Sequence, residues 1–253
     1  MRQPCLIIAL LSCLLLAACG KPEPAKPASN TTPAATISAL SAAAHAQLAQ
    51  LTQQTQALAQ AAQALSAAPD DAHLKAAQSA WQAAYTSFNQ SLPWLLGNPS
   101  NLKRIEHRLD PLPIQPGYVD ALKQWPDSGL VNDPTVTLDA TTLVQQNQPT
   151  DDTEASLGFQ VIEFLLWGSA DLPRKAGDFT QPRRALYLTL VTQQLVDDMA
   201  AAVARCEQSG CDESQGRKAA QARLDSIKQA AASPDAWLSS RAAQLAEKAL
   251  DNP

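Results

Sequence analysis

Hydrophobic residues recur at helical intervals over the first part of the chain. Between residues 37 and 65 they are separated by three or four positions, with one interval of seven. This spacing places them on one face of a long amphipathic helix, which Pro69 ends. The members of this face are Ile37, Leu40, Ala44, Leu48, Leu51, Leu58, Ala62 and Leu65.

A second helix is predicted directly after this proline. Asp70 and Asp71 are residue types that favour helix N-termini, and the hydrophobic face that follows reaches to residue 92. Because the link between the two helices is short, we expect them to pack antiparallel. The predicted buried face consists of Leu74, Ala77, Trp81, Tyr85, Phe88 and Leu92.

The periodic pattern breaks between Pro93 and Pro149. Six further prolines punctuate this region, so only short helices fit, around residues 102–109 and 118–124. A proline-rich stretch of this length inside a domain more often forms a binding region than a passive loop.

Helical patterns return in the last hundred residues. One helix is predicted from the acidic run at 151–154 to Gly168, and another over 181–205 with Leu186, Leu190, Leu195 and Met199 facing inward. Two more cover residues 212–232 and 234–250, and no segment alternates convincingly as a strand. The sequence therefore predicts an all-α fold, with antiparallel helical bundles and an irregular, proline-rich middle segment.

The N-terminus has the pattern of a secretion signal. Arg2 is followed by an apolar run over residues 5–16, which is too short for a comfortable membrane span. The next residues, Leu16-Ala17-Ala18-Cys19, resemble a bacterial lipobox, in which the cysteine is acylated and becomes the first mature residue. We predict a signal peptide at 1–18, a lipidated flexible tether at 19–35 and a helical domain at 36–253. By resemblance to sorted lipoproteins, Gly20 after the cysteine favours the periplasmic face of the outer membrane.

Charge and composition exclude some partners. Removal of the signal takes away Arg2 alone, so the net charge changes from −5 to −6. This acidic balance argues against nucleic acid or anionic lipid headgroups as partners. Attachment to the membrane is expected through the lipid anchor.

Two cysteines remain in the mature domain. Cys5 and Cys13 leave with the signal and Cys19 is lipidated, which leaves Cys206 and Cys211. In an oxidising compartment this pair is best interpreted as a disulfide across a tight helix–helix turn. Metal binding by the two thiols is the alternative, although no histidine lies nearby in the sequence.

The segment GFQVIEFLLWG at 158–168 resembles the signature of the imelysin family, G-x-H-x-x-E followed by Phe-Leu-Leu-Trp-Gly. Segments at 116–120, 128–133, 178–179 and 183–188 also resemble family segments, in family order. The resemblance covers roughly residues 81–199. It implies a helical domain of two bundle-like halves that meet near residues 150–168, and a role in iron or other metal acquisition at the envelope. Some family members are classed as metallopeptidases.

The chain departs from this signature at one position. Gln160 stands where the family has histidine, and Gly158 and Glu163 keep their places. Residues three apart share a helix face, so Gln160 and Glu163 point together. An amide oxygen is a weaker ligand for zinc or iron than imidazole, so Glu163 is left as the candidate ligand of a weakly held divalent ion. The alternative is structural, an ion pair between Glu163 and Arg104 or Arg183.

A second group of candidate residues lies before the first proline break of the middle segment. His107 and Asp110 are three apart in a charged run, whereas His45 and His73 lie among alanines and are expected at the surface. The run is either a solvated, salt-bridged helix or a wall that faces Glu163 across a cleft. The candidate cleft residues are Arg104, Glu106, His107, Asp110, Ser128 and Asp133.

Three functions follow from these patterns. The first is a non-enzymatic periplasmic lipoprotein that binds a ligand, or a partner protein, in iron or other metal uptake. The second is a structural or interaction lipoprotein with a degenerate pocket. The third is a metallopeptidase, which needs a metal with three protein ligands and an open position. We expect no catalytic residues, because the chain lacks H-E-x-x-H and the motif histidine.

Overall fold

A computed structural model describes residues 40–232 and 240–251 of the 253-residue chain. Its helices in chain order are α1 (Ala42–Ala67), α2 (Asp71–Leu95), α3 (Leu102–Arg104), α4 (Pro116–Val119), α5 (Ala140–Gln145), α6 (Phe159–Trp167), α7 (Pro182–Ser209), α8 (Glu213–Ala231) and α9 (Ser240–Asp251). A π-helical turn covers Ile105–Leu109, and two 3₁₀ turns cover Pro99–Asn101 and Ala176–Thr180. The strands are β1 (Gly168–Ser169) and β2 (Leu172–Pro173), which form one short antiparallel hairpin. The all-α prediction is confirmed.

Within the described ranges, none of the helices has the length and apolar character needed to cross a bilayer. The predicted signal peptide and tether, with Cys19, lie outside the described residues, as do Ile37 and the predicted helical residues 234–239.

Helices α1 and α2 form the predicted antiparallel pair. Ser41 caps α1 by accepting a hydrogen bond from Ala44 N, and Asp70 caps α2 by accepting one from His73 N. The predicted face of α2 is buried, with Trp81, Tyr85 and Phe88 among the largest buried side chains. Helix α2 continues through Pro93 and ends at Leu95, three residues beyond the predicted end of its buried face.

Helix α6 lies in the centre of the domain. Eight of its nine residues are buried, and it packs against α2, α4 and α7. The Trp81 indole donates to Phe159 O at 2.9 Å, which fixes the start of α6 against α2. Gly158 has φ +94°, and a Cβ at that position would lie 2.6 Å from Pro111 Cδ and 2.8 Å from Arg108 O. Only glycine therefore fits between the motif helix and the 105–111 segment.

The prediction that this helix begins in the acidic run at 151–154 was wrong, because α6 begins at Phe159. The Asp151 carboxylate accepts hydrogen bonds from Thr153 N at 2.8 Å and Thr153 Oγ1 at 2.6 Å, which stabilises a turn instead of a helical first turn. The predicted end at Gly168 is confirmed, with φ +67° at that glycine.

The middle segment also differs from its prediction. The helix expected over 118–124 is only α4, Pro116–Val119, and a turn bridged by Leu122 and Trp125 follows it. Helix α5 was not predicted. The helix expected over 102–109 is divided into α3 and the π-helical turn.

A short turn joins α7 to α8, and α8 packs against α2 and α9. The sulfurs of Cys206 and Cys211 are joined in a disulfide, and Asp212 caps α8. A Cβ at Gly216 would lie 1.8 Å from Pro93 O, so α8 crosses the end of α2 in backbone contact. Leu195 and Met199 are buried as predicted, but Leu186 is 44% exposed. Leu186 lies one residue outside the face formed by Tyr187, Val191, Leu195 and Met199.

One hydrophobic core runs through most of the described residues, from Leu48 on α1 to Ala242 on α9. A second, small cluster joins Leu224 and Ile227 of α8 to Ala246 of α9. The proposed division into two bundle-like halves stays a prediction.

Candidate functional site

The motif glutamine belongs to a buried polar network centred on Asp110. The Asp110 carboxylate is fully buried and accepts a hydrogen bond from Gln160 Nε2 at 2.8 Å and from the Tyr85 hydroxyl at 3.2 Å. Arg223 of α8 donates from Nη2 to Asp110 Oδ2 at 2.6 Å. The network therefore joins α2, the π-helical segment, α6 and α8 around one carboxylate.

Tyr85 is a neutral member of this network. Its burial raises the pKa of the phenol well above its usual value, and the charges of Asp110 and Glu163 raise it further, against the effect of Arg223. The hydroxyl thus keeps its proton and donates to Asp110, while its oxygen accepts from Gln160 Nε2 at 3.3 Å. The amide oxygen of Gln160 is buried and has no hydrogen-bond partner.

The motif carboxylate is neutralised from α9. Arg241 Nη1 lies 2.5 Å from Glu163 Oε1, and the Glu163 side chain is fully buried. The Arg241 guanidinium also lies over the Trp167 ring, 4.1 Å from its centroid. Trp167 in turn contacts Trp81 edge to face at 5.4 Å. Glu163 is therefore paired with Arg241, and the predicted partners Arg104 and Arg183 were wrong.

Those two arginines have other partners. Arg104 is paired with Asp198 of α7. Arg183 donates to four carbonyl oxygens in residues 130–136, which anchors that loop to α7. These contacts direct both guanidiniums away from Glu163.

The donor set does not fit a zinc or iron ion held by the motif. Gln160 offers an amide, and the carboxylates of Asp110 and Glu163 are each bonded to an arginine. Across residues 40–232 and 240–251, no group of three or more His, Cys, Asp or Glu side chains is arranged to hold a metal ion. An ion at this position would have to displace a guanidinium from a buried carboxylate.

The family model for imelysin, peptidase family M75, matches residues 44–253 of the chain. The match covers most of the sequence and all but the first two residues of α1. The chain belongs to the imelysin family. A search of curated proteins found no match. In this chain the signature helix is α6, and position 160 of the signature is the amide that donates to Asp110.

An open cleft of about 810 Å³ lies beside the buried network of this imelysin. Its walls are the 102–113 segment and α8, with Leu102, Ile105, Leu112 and Ile227 among the apolar lining residues. Polar side chains line the rest: Glu106, His107, Gln148, Asp152, Arg223, Ser226 and Gln229. Arg223 belongs to both the cleft and the Asp110 network, and so connects them.

His107 lies in the wall of this cleft. Its Nδ1 is 2.5 Å from Gln148 Oε1, and its carbonyl oxygen accepts from Asn147 Nδ2 at 2.7 Å. These contacts fix the imidazole toward the 147–148 turn. Asp110, three residues later, lies under the wall and bonds to Gln160 beside Glu163.

The other predicted cleft residues are dispersed. Glu106 lines the cleft, but Arg104 lies on the opposite face of its segment against Asp198. Ser128 donates to Trp125 O, and Asp133 bonds to Thr135, whose hydrogen bonds lower the pKa of that exposed carboxyl. Neither of the last two reaches the motif network.

A separate buried ion cluster is centred on Asp120. Asp120 is fully buried and accepts from Arg184 Nε at 2.6 Å, Arg184 Nη2 at 2.9 Å and Arg174 Nη2 at 2.9 Å. Burial alone would raise the pKa of Asp120, but the hydrogen bonds and charges of the two arginines outweigh it and lower that pKa. This cluster joins the end of α4 to the residue after β2 and to α7, which is a structural role.

Sequence reasoning did not find Arg223 and Arg241, although they supply the counter-charges of the site. They lie on terminal helices, 113 and 78 residues from their acidic partners. Tyr85 was predicted only as a core residue, and its hydrogen bond to Asp110 was not predicted. A tyrosine in the buried face of α2 needs a hydrogen-bond partner for its hydroxyl, and this requirement could have indicated a buried polar network. His45 is exposed and His73 is half-buried, with its Nδ1 3.0 Å from Asp70.

Proposed function

We propose that this imelysin is a non-enzymatic, lipid-anchored envelope protein that binds a ligand or partner in iron or other metal acquisition. The observation that carries the proposal is the pairing of both buried motif-site carboxylates with arginines. Arg223 and Arg241 neutralise the negative charges of Asp110 and Glu163, which a bound metal ion would otherwise neutralise. The lipid anchor rests on the Leu-Ala-Ala-Cys sequence at 16–19.

A hydrolytic role is disfavoured by the same contacts. Metal-assisted hydrolysis needs an open coordination position where a water can be activated. Gln160 is a poor ligand, and displacement of Arg223 or Arg241 would leave a buried guanidinium without its counterion, at a cost of several kcal/mol. The site is therefore better suited to holding helices α6, α8 and α9 together than to chemistry.

The adjoining cleft supports a binding role. Its volume of about 810 Å³ lies in the range of small-molecule sites, about 300–1,000 Å³. Its lining combines an apolar wall with a few polar groups, among them His107, Gln148 and Arg223. A ligand bound there would contact the motif network through Arg223.

Two matched tryptophan substitutions on α8 test this proposal. Ser226 lines the cleft, so Ser226→Trp fills it, whereas Ser214→Trp places the same side chain on the exposed face of the same helix. A strain that lacks the gene should grow poorly when a chelator limits iron. Wild-type protein and the Ser214→Trp variant should restore growth, and the Ser226→Trp variant should not. Both variants should unfold at the wild-type temperature.

Other results would redirect the interpretation. Full growth with Ser226→Trp would exclude the cleft as the binding site. Unimpaired growth of the strain without the gene would exclude iron acquisition and favour the structural lipoprotein. Cleavage of casein by the zinc-supplemented protein, lost in Glu163→Gln, would restore the peptidase hypothesis.

A further inference from the structure

A second charged site lies on the opposite face of the 102–108 segment from the cleft. At its centre the Asp198 side chain of α7 is 3% exposed. It accepts from Arg104 Nη1, from Arg108 Nε at 2.9 Å and from Arg108 Nη2 at 2.8 Å. Gln194 Nε2 adds a further donor at 3.2 Å. The two carboxylate oxygens of Asp198 are thus fully used.

Positive charge exceeds negative charge at this site. Arg205, on the same helix as Asp198, is close enough to Arg104 for the two positive charges to repel each other, as do those of Arg104 and Arg108. Arg205 itself makes one long contact, from Nη1 to Ser100 O at 3.4 Å. Two guanidiniums therefore contact one carboxylate and a third lies near them, in a chain whose net charge is −5.

The donors at this site are not all satisfied. Arg104 Nε is buried and has no hydrogen-bond partner. Burial lowers the pKa of the Arg104 guanidinium, and the neighbouring arginines lower it further, against the opposing charge of Asp198. A buried donor without an acceptor destabilises the fold, and more so when the group is charged. An additional anion at the solvent-exposed part of these guanidiniums would supply the missing negative charge.

We propose that Arg104, Arg108 and Arg205 form a binding site for a phosphate-type oxyanion. Guanidinium groups present parallel N–H donors that match the oxygens of phosphate, and such charge-assisted bonds are stronger than neutral ones. The side chains of Arg104 and Arg108 are 21% and 26% exposed, so the site is reached from solvent without unfolding. Asp198 holds the guanidiniums of Arg104 and Arg108 in position, and Arg205 adds a third positive charge nearby. This binding is separate from the function proposed for the cleft.

Inorganic phosphate is the probe for this site, with the mature protein and chloride at equal ionic strength as the reference. Phosphate should raise the unfolding temperature more than chloride does, and calorimetry should give a saturable, one-site isotherm. Arg205→Gln should weaken phosphate binding about tenfold, because one charged partner is lost. Arg217→Gln is the matched control, since Arg217 is an exposed arginine paired with Glu213 on α8. It should bind phosphate as the wild type does.

Vesicles distinguish the source of the phosphate group. The soluble domain, without its acyl chains, should bind phosphatidylglycerol vesicles and not phosphatidylcholine vesicles if the ligand is a lipid headgroup. Binding of free phosphate without vesicle binding would indicate a soluble phosphate ester. Equal stabilisation by phosphate and chloride, or equal phosphate affinity in Arg205→Gln and wild type, would overturn the proposal. Arg205→Lys keeps the charge and should bind with intermediate affinity, which separates charge loss from misfolding.

Discussion

Arg223 holds Asp110 at two points, because its Nη2 lies 2.6 Å from both the backbone carbonyl oxygen and the Oδ2 of that residue. The contact joins α8 to the end of the π-helical segment. It also places a positive charge directly under the open cleft and beside the motif glutamine. One side chain thus connects the open cleft to the centre of the domain.

Removal of this arginine should destabilise the fold strongly. Arg223→Met leaves the fully buried Asp110 carboxylate without its counterion, and breaking such a pair costs about 3–5 kcal/mol. Arg217→Met removes an exposed pair and should cost about 0–1 kcal/mol. Urea unfolding of the three proteins at pH 7 measures the difference. Asp110→Asn in the Arg223→Met background should recover part of the loss, and equal stability of Arg223→Met and Arg217→Met would contradict this assignment.

Stability should fall in acid through Asp120. The folded-state pKa of Asp120 is lowered by Arg184 and Arg174 below its ordinary value of 3.8. A lowered pKa contributes stability that is present above the unfolded-state pKa and is lost as pH falls through the folded-state pKa. We therefore expect the free energy of unfolding to decrease below about pH 4.

Two asparagine variants isolate this contribution. Asp120→Asn should be less stable than wild type at pH 7, by about 3–5 kcal/mol, because two buried arginines lose their partner. Its stability should also fall less between pH 6 and pH 3. Asp171→Asn, in the exposed turn between β1 and β2, should keep the wild-type slope. Parallel slopes for Asp120→Asn and wild type would show that Asp120 does not carry the acid sensitivity.

Zinc affinity should rise with two substitutions, one in the motif and one at the arginine that pairs with its carboxylate. The wild-type protein should retain no stoichiometric zinc after dialysis, since Glu163 is bonded to Arg241 and position 160 is an amide. Gln160→His restores a ring nitrogen on the same helix face and should raise the affinity for divalent zinc or iron. Adding Arg241→Met should raise it further, because the competing guanidinium is gone, and Glu163→Ala should abolish the gain. Elemental analysis and calorimetry measure both effects, and one tightly held zinc in the wild type would refute the prediction.

The anchor should depend on Cys19. Several acyl chains at about 0.8 kcal/mol per buried methylene would hold the mature protein on a bilayer. We expect wild-type protein in the membrane fraction, and the Cys19→Ser variant in another fraction or unprocessed. Intact-mass measurement of the mature N-terminus is the direct check. An unmodified Cys19 would exclude lipidation.

The parts of the fold that were predicted correctly are those with a regular hydrophobic face. Helices α1, α2 and α7 bury residues at three- and four-residue intervals, so their local pattern and their packing agree. The start of α6 was missed because Asp151 bonds to Thr153 and stabilises a turn, although acidic residues also favour a helical first turn. Gly158 and Glu163 were found through the motif, but their contacts to Pro111 and Arg241 depend on tertiary packing. No local pattern distinguishes Arg241 from other arginines on the polar face of a helix.

The positions of Arg223 and Arg241 in the chain also determine the order in which the centre of the domain can be completed. Synthesis proceeds from the N-terminus, so α6 and its Glu163 exist before α8 and α9 do. Until those helices dock, closing the core around α6 would bury two carboxylates without counterions. We therefore expect Arg223 and Arg241, 113 and 78 residues from their partners, to dock before the motif helix packs finally, as a late folding event. A chain truncated before α8 could still pair α1 with α2. Its Asp110 and Glu163 carboxylates would have no arginine partners, so the core around α6 could not form.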